Sequence, residues 1–96
     1  MVVLGSVIKD PDAVLDYAVD WATWLAWDGD TIAASTWTLP ADPDDLAIDS
    51  FPFSATVATV WLSGGQAGRS YLVTNHITTA AGREDERTLR IRVVER

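Results

Sequence analysis

The sequence predicts an all-β protein, a single immunoglobulin-like antiparallel β-sandwich of six to seven strands. Three observations carry that reading. Apolar and polar residues alternate at strand rather than helix period. Short stretches rich in Val, Thr, Ile and Trp recur at intervals of about ten residues. Clusters of Gly, Pro and Asp stand between them as turn chemistry. A length of 96 residues with 48% apolar content suits one domain with one core.

The chain opens on Met1-Val2-Val3-Leu4-Gly5-Ser6-Val7-Ile8, apolar and uncharged. It has no basic leading region and is too short for a cleavable signal segment. Nothing in the chain approaches the length of a membrane helix. Residues 1–8 have three open fates: an edge strand of their own sandwich, a strand added to a neighbour's sheet, or disorder. The expectation taken is an N-terminal arm that orders against a partner, with the sandwich domain covering residues 9–96.

Leu15, Tyr17, Val19 and Trp21 alternate with Asp16, Ala18 and Asp20, which reads as a strand with one apolar and one acidic face. The rival is a helix from Asp12 to Ala26, capped at Asp10-Pro11-Asp12. Trp24-Leu25-Ala26-Trp27 precedes an Asp28-Gly29-Asp30 turn. Thr31 to Leu39 reads as a strand. Pro40 to Asp45, with two prolines and three acids, reads as a loop. Leu46 to Phe51 is a short strand stopped by Pro52, and Ser54 to Leu62, dense in Thr and Val, is another.

Ser63 to Gly68 is a glycine-rich turn. In Tyr71 to Thr79 the residues Tyr71, Val73 and Ile77 share one face, and Leu72, Thr74 and His76 share the other. Tyr71, just after a turn, suits a tyrosine corner whose hydroxyl bonds back to the turn backbone. Ala80 to Glu86 reads as a charged hairpin connection. The last strand, Arg87 to Val94, turns Leu89, Ile91 and Val93 inward and Arg90 and Arg92 outward. The expected core comprises Leu15, Tyr17, Val19, Trp21, Tyr71, Val73, Leu89, Ile91 and Val93.

Composition restricts function. The chain has no cysteine, so it offers no disulfide, thiolate ligand or thiol nucleophile. A single histidine, His76, disfavours a multi-histidine metal site or a histidine triad and suits a structural or interface hydrogen bond. The net charge of −7 repels nucleic acid phosphates and anionic membranes. The charge is also divided: residues 1–60 hold ten acids and one base, Lys9, whereas residues 61–96 hold six arginines and four acids. A dipolar surface is one reading; a head-to-tail contact between copies, acidic face to basic face, is the other.

No serine stands in a nucleophile elbow. Gly64-Gly65 with Gly68 lacks the lysine and helix of a phosphate loop. Catalytic residues, cofactors and metals are therefore not expected. Asp28-Gly29-Asp30 could start a calcium loop, but it lacks the further ligands and reads better as a turn. Asp42, Asp44 and Asp45 read as a solvated loop.

The chain has five tryptophans. Trp21, Trp37 and Trp61 lie in strands and are expected in the core or between the sheets. Trp24 and Trp27 lie beside the Asp-Gly turn, either as a plug over one end of the sandwich or as aromatic anchors for a partner. The candidate partner-binding residues are Val2, Val3, Leu4, Trp24, Trp27, Arg90 and Arg92. Exposed tryptophans on a β-sandwich also suit a carbohydrate-binding module, provided that two or three rings form a coplanar row.

A combination of motifs carries a resemblance. Asp10-Pro11-Asp12, Leu15-Asp16-Tyr17, Asp20-Trp21 and Gly29-Asp30-Thr31-Ile32 are followed by Ser35-Thr36-Trp37-Thr38 and by Thr59-Val60-Trp61-Leu62-Ser63-Gly64-Gly65. The series closes on Gly68, Tyr71, Val73-Thr74-Asn75, Ile77, Thr79, Gly82-Arg83 and Arg87. Together they resemble the tailed-bacteriophage fibre–tail adaptor family, from about residue 9 to residue 94. Asp42 to Phe53 matches least well. The resemblance implies a noncatalytic structural protein of the virion tail or neck. Its partners would be other virion proteins (tail, neck or fibre subunits), engaged in multiple copies, and it would be made in the host cytoplasm.

Overall fold

The computed structural model describes residues 3–27, 29–39 and 46–95. Seven strands form two sheets: β1 (Val3–Lys9), β2 (Leu15–Asp20), β3 (Ile32–Thr38), β4 (Leu46–Ser50), β5 (Val57–Gly64), β6 (Ser70–Thr79) and β7 (Glu84–Val93). One sheet has the order β1-β7-β6-β3 and the other β2-β5-β4. The four-stranded and three-stranded sheets make an all-β sandwich. A single helical turn, α1 (Ala22–Leu25), follows β2. The helix considered for Asp12 to Ala26 therefore reduces to this turn, and the alternation from Leu15 to Asp20 prevails as a strand.

The inner faces follow period two. Val19, Val60, Leu62, Val73, Ile91 and Val93 are each at most 1% exposed. Tyr71 and Leu89 join them, so the expected inward set of β6 and β7 lines the core. At Gly65 the chain passes so close to this core that a Cβ would meet Val93 Cγ2 at 2.8 Å, and its φ of 95° also favours glycine. The loop between β5 and β6 can therefore turn tightly over the core only without a side chain.

The structure corrects several expectations. Residues 3–8 do not stand apart as an arm: with Lys9 they form β1, paired with β7 of the same chain. An apolar strand beside an unpaired sheet edge finds main-chain partners there without a second chain. The pairing is parallel, so the sandwich is mixed rather than wholly antiparallel. Val2, and the side chains of Val3 and Leu4, lie outside the described residues, as does the Pro40 to Asp45 loop.

β7 begins at Glu84 rather than Arg87. A short turn, with Thr79 N–H on Arg83 O and Gly82 N–H on Thr79 O, returns the chain early enough to pair Glu84 with Thr78. The charged Glu84 and Glu86 fit this strand because they are exposed and flank His76. Leu15 is exposed, since it starts an edge strand covered by β5 alone, and Tyr17 is only half-buried. Trp61 is 38% exposed because its neighbours Val60 and Leu62 occupy the inward phase of β5.

Candidate interaction surface

Trp21 closes one end of the sandwich. It is fully buried, and its indole N–H donates to Asn75 Oδ1 at 2.9 Å. The Asn75 amide donates in turn to Ser35 Oγ at 2.9 Å and Thr36 O at 3.0 Å. Every polar atom of that side chain is therefore engaged inside the core. The signal for Asn75 was available in the sequence: it falls in phase between Val73 and Ile77.

Trp24 packs edge-on against Trp21, with ring centroids 5.4 Å apart. Arg83 lies 4.4 Å over the Trp24 ring, and Arg87 lies 4.3 Å over the Trp21 ring. These cation–π contacts shield the aromatic end from water. Sequence reasoning missed both arginines, because the pairs are brought together only by the return of β7. Trp24 thus sits as a plug, half-buried. Trp27 does not: at 88% exposure it projects from the turn after α1. Trp37 lies in the core as expected.

Asp30 is a clamp. It accepts from Thr31 N–H at 2.9 Å, Ala81 N–H at 3.0 Å and Arg83 Nε–H at 3.3 Å. The Thr79 hydroxyl, then these donors, hold its carboxyl below the usual carboxylate range. Its oxygens tie the start of β3 to the β6–β7 turn and are committed to that task. The other half of the considered calcium loop, Asp28, lies outside the described residues.

The opposite end is closed by a cation and a phenol. Lys9 is fully buried, and its ammonium donates to Gly64 O at 2.7 Å and Asp10 O at 2.9 Å. Burial pushes its pKa down, while Asp10, Asp12 and Asp49 act in the other direction. Asp10, Asp12 and Glu95 bring carboxylate oxygens within 4.8 Å of one another, the only such group among the described residues. Asp10 Oδ1 already accepts from Asp12 N–H at 2.8 Å, and the Lys9 ammonium supplies positive charge beside the cluster. The Tyr71 hydroxyl accepts from Gln66 N–H at 3.0 Å, which realises the expected tyrosine corner.

Arg90 and Arg92 are exposed on the outer face of β7, in the phase opposite Ile91 and Val93. His76, on the same sheet, contacts Glu84 Oε1 at 2.8 Å and Glu86 Oε2 at 3.5 Å. Glu84, then Glu86, raises its pKa against partial burial. The proposed partner residues therefore do not converge: Trp27 lies in the turn after α1, and Arg90 and Arg92 lie on one sheet face.

Comparison with known proteins adds a decisive observation. Residues 9–92 match the family described as Podophage GP4 fiber-tail adaptor protein gp77. The chain belongs to this fibre–tail adaptor family. No curated protein matches the adaptor. Two solved structures share its fold. One is a 2,6-sialyltransferase from Photobacterium sp. JT-ISH-224, at 10% identity and a TM-score of 0.55, covering 97% of the adaptor. The adaptor spans only 18% of that enzyme's chain. The other is a cysteine protease inhibitor from Entamoeba histolytica, at 10% identity and a TM-score of 0.50, covering 93% of the adaptor and 86% of that chain. At such identity the likeness concerns fold alone. No helix among the described residues is long and apolar enough to cross a membrane.

Proposed function

We propose that the protein acts without catalysis in the virion tail or neck, joining it to a fibre or other appendage through protein contacts. Family membership supports the structural role. The observation that carries the contact is Trp27, a large ring almost wholly in solvent on an otherwise well-packed end. Tryptophan is the residue type most enriched where interfaces concentrate their energy. Trp24, by contrast, is engaged within the fold, its ring against Trp21 and beneath Arg83. Among the described residues β1 is an edge strand of its sheet, and Arg90 and Arg92 present positive charge for acidic neighbours.

Particles assembled with Trp27→Ala test this reading. The isolated variant should melt like the parent, while the particles should carry fewer appendages by electron microscopy. Full appendage occupancy would sink the anchor role. The carbohydrate-binding alternative predicts a saturable change in tryptophan fluorescence on titration with oligosaccharides. The two exposed indoles among the described residues, Trp27 and Trp61, stand on different elements, a turn and the face of β5.

A further inference from the structure

The two outer faces of the sandwich differ in charge: the three-stranded one offers acids without a cation, while the four-stranded one carries Glu84 and Glu86 around His76 at one end of β7 and Arg90 and Arg92 at the other. On the three-stranded sheet, Val57, Thr59 and Trp61 alternate outward along β5. Trp61 stands between Asp16 on β2 and Ser50 on β4, and Val57 stands opposite Asp20. Pro52, Phe53, Ser54, Val57 and Thr59 line an open groove of about 370 Å³ beside this strip. Asp16, Asp20 and Asp49 are exposed around it. Residues 10–68 contain no Lys or Arg, so β2, β4 and β5 supply no cation to this face.

On the four-stranded sheet, Arg90 and Arg92 project outward from β7. Arg90 stands between Ser6 and Leu72, and Arg92 between Ile8 and Ser70. Ile8 is 50% exposed. One face thus presents carboxylate beside aromatic ring, and the Arg90–Arg92 end of the other presents guanidinium beside aliphatic side chain, away from Glu84 and Glu86. A guanidinium can lie over an indole face and reach a neighbouring carboxylate at once. A surface that combines apolar area with one sign of charge recognises the matching surface of opposite sign.

We propose that the β2-β5-β4 outer face of one copy docks on the β1-β7-β6 outer face of a second copy, with Trp61 and Asp16 receiving Arg90 and Arg92. The two patches differ and lie on opposite sides of the sandwich. The contact is therefore heterologous: each copy keeps one face of each kind open until a ring closes. This contact is independent of what Trp27 binds.

Sedimentation of the full chain against concentration tests the proposal. The parent should associate, and added salt should weaken association. Arg90→Glu with Arg92→Glu, and separately Asp16→Arg with Asp20→Arg, should each weaken it on the order of a hundredfold or more through like-charge contact. Mixing the two variants should restore association, because each then offers the face that the other lacks. Trp61→Ser gives an independent loss that leaves every charge in place. All these positions are exposed, and unchanged melting temperatures should confirm folding. A parent that stays monomeric would overturn the proposal. So would association indifferent to these substitutions, or a mixture that fails to recover.

Discussion

The two ends of the sandwich solve the same problem with different chemistry. A sandwich end exposes the last core side chains and the backbone of its turns, and something must cover both. At the Trp21 end the cover is aromatic: Trp21 and Trp24 pack edge to face, and Arg83 and Arg87 lie on their outer surfaces. The Arg83 cation there keeps a third of its side chain in solvent, while the Asp30 carboxylate that anchors the turn through it is all but buried. At the Lys9 end the cation itself goes inside, and two backbone carbonyls replace its water. Tyr71 then fixes the adjoining turn through Gln66 N–H. A ring tolerates a half-solvated cation above it, whereas a buried ammonium depends on each hydrogen bond it keeps.

The largest test of that contrast is Trp21→Ala. It removes the ring beneath Arg87, takes away the edge contact of Trp24 and leaves Asn75 Oδ1 without its donor. Truncation of a buried tryptophan costs about 3–5 kcal/mol, a large share of a small domain's stability. Denaturant unfolding should register it fully. Trp27→Ala, on the same end but in solvent, should stay within about 0.5 kcal/mol of the parent. Similar losses from both would mean that the exposed ring is part of the plug.

At the other end, Lys9→Met keeps the stem and removes the ammonium from Gly64 O and Asp10 O. The expected loss is about 1–3 kcal/mol, the penalty for leaving buried acceptors without donors. Burial lowers the Lys9 pKa, so the unfolded chain holds this proton to higher pH than the folded one. The parent should accordingly gain stability from this group as pH rises towards 10.5, and the variant should not. A neutral or stabilising Lys9→Met would show that desolvation of the ammonium outweighs its two bonds.

How far these ends could be read in the sequence follows from the range of the forces involved. Strand alternation is local, so the inward phase of β6 and β7 was legible residue by residue, down to Tyr71 at its turn. Tyr71→Phe should cost about 0.5–1.5 kcal/mol in denaturant unfolding, the value of one hydrogen bond to a turn amide. Trp61 departs from the expected core position because alternation outweighs residue type: its neighbours Val60 and Leu62 fix it outward. Lys9, Arg83 and Arg87 were not legible as end covers. Lys9 meets Gly64 across 55 positions and Arg83 meets Asp30 across 53, and no periodicity connects such pairs. Functional surface was less legible still: the sequence supplied exposed residue types, while only the fold distributes them between an acidic face on β2, β4 and β5 and a face of mixed charge whose arginines gather at one end of β7.

Acid sharpens the comparison further. The depressed Asp30 pKa means that its contribution is complete above its ordinary value of 3.8 and is lost as pH falls through the lower folded value. Acid unfolding should therefore begin at the aromatic end. Amide exchange near Thr31 and Ala81 should accelerate before that near Gln66. Asp30→Asn should flatten the acid limb of the stability curve. If Gln66 opens first, Asp30 is not the acid-sensitive clamp.

The smallest expected effect belongs to His76. Its pKa is raised, Glu84 contributing most, so the imidazolium is better held in the folded chain than in the unfolded one. That contribution is fully present below the ordinary value of 6.5 and disappears as pH rises through the higher folded value. The side chain is 40% exposed and its partners more so, hence solvent screening limits the effect to below about 0.5 kcal/mol. Stability measured on the two sides of this window should decline slightly towards alkaline pH in the parent. His76→Gln should remove the slope, as should Glu84→Gln combined with Glu86→Gln. The sign distinguishes His76 from the Asp30 clamp: raising the pH strengthens the clamp and releases His76. A parent that becomes more stable through the histidine window, with the gain abolished by His76→Gln, would mean that burial of the ring outweighs the two glutamates.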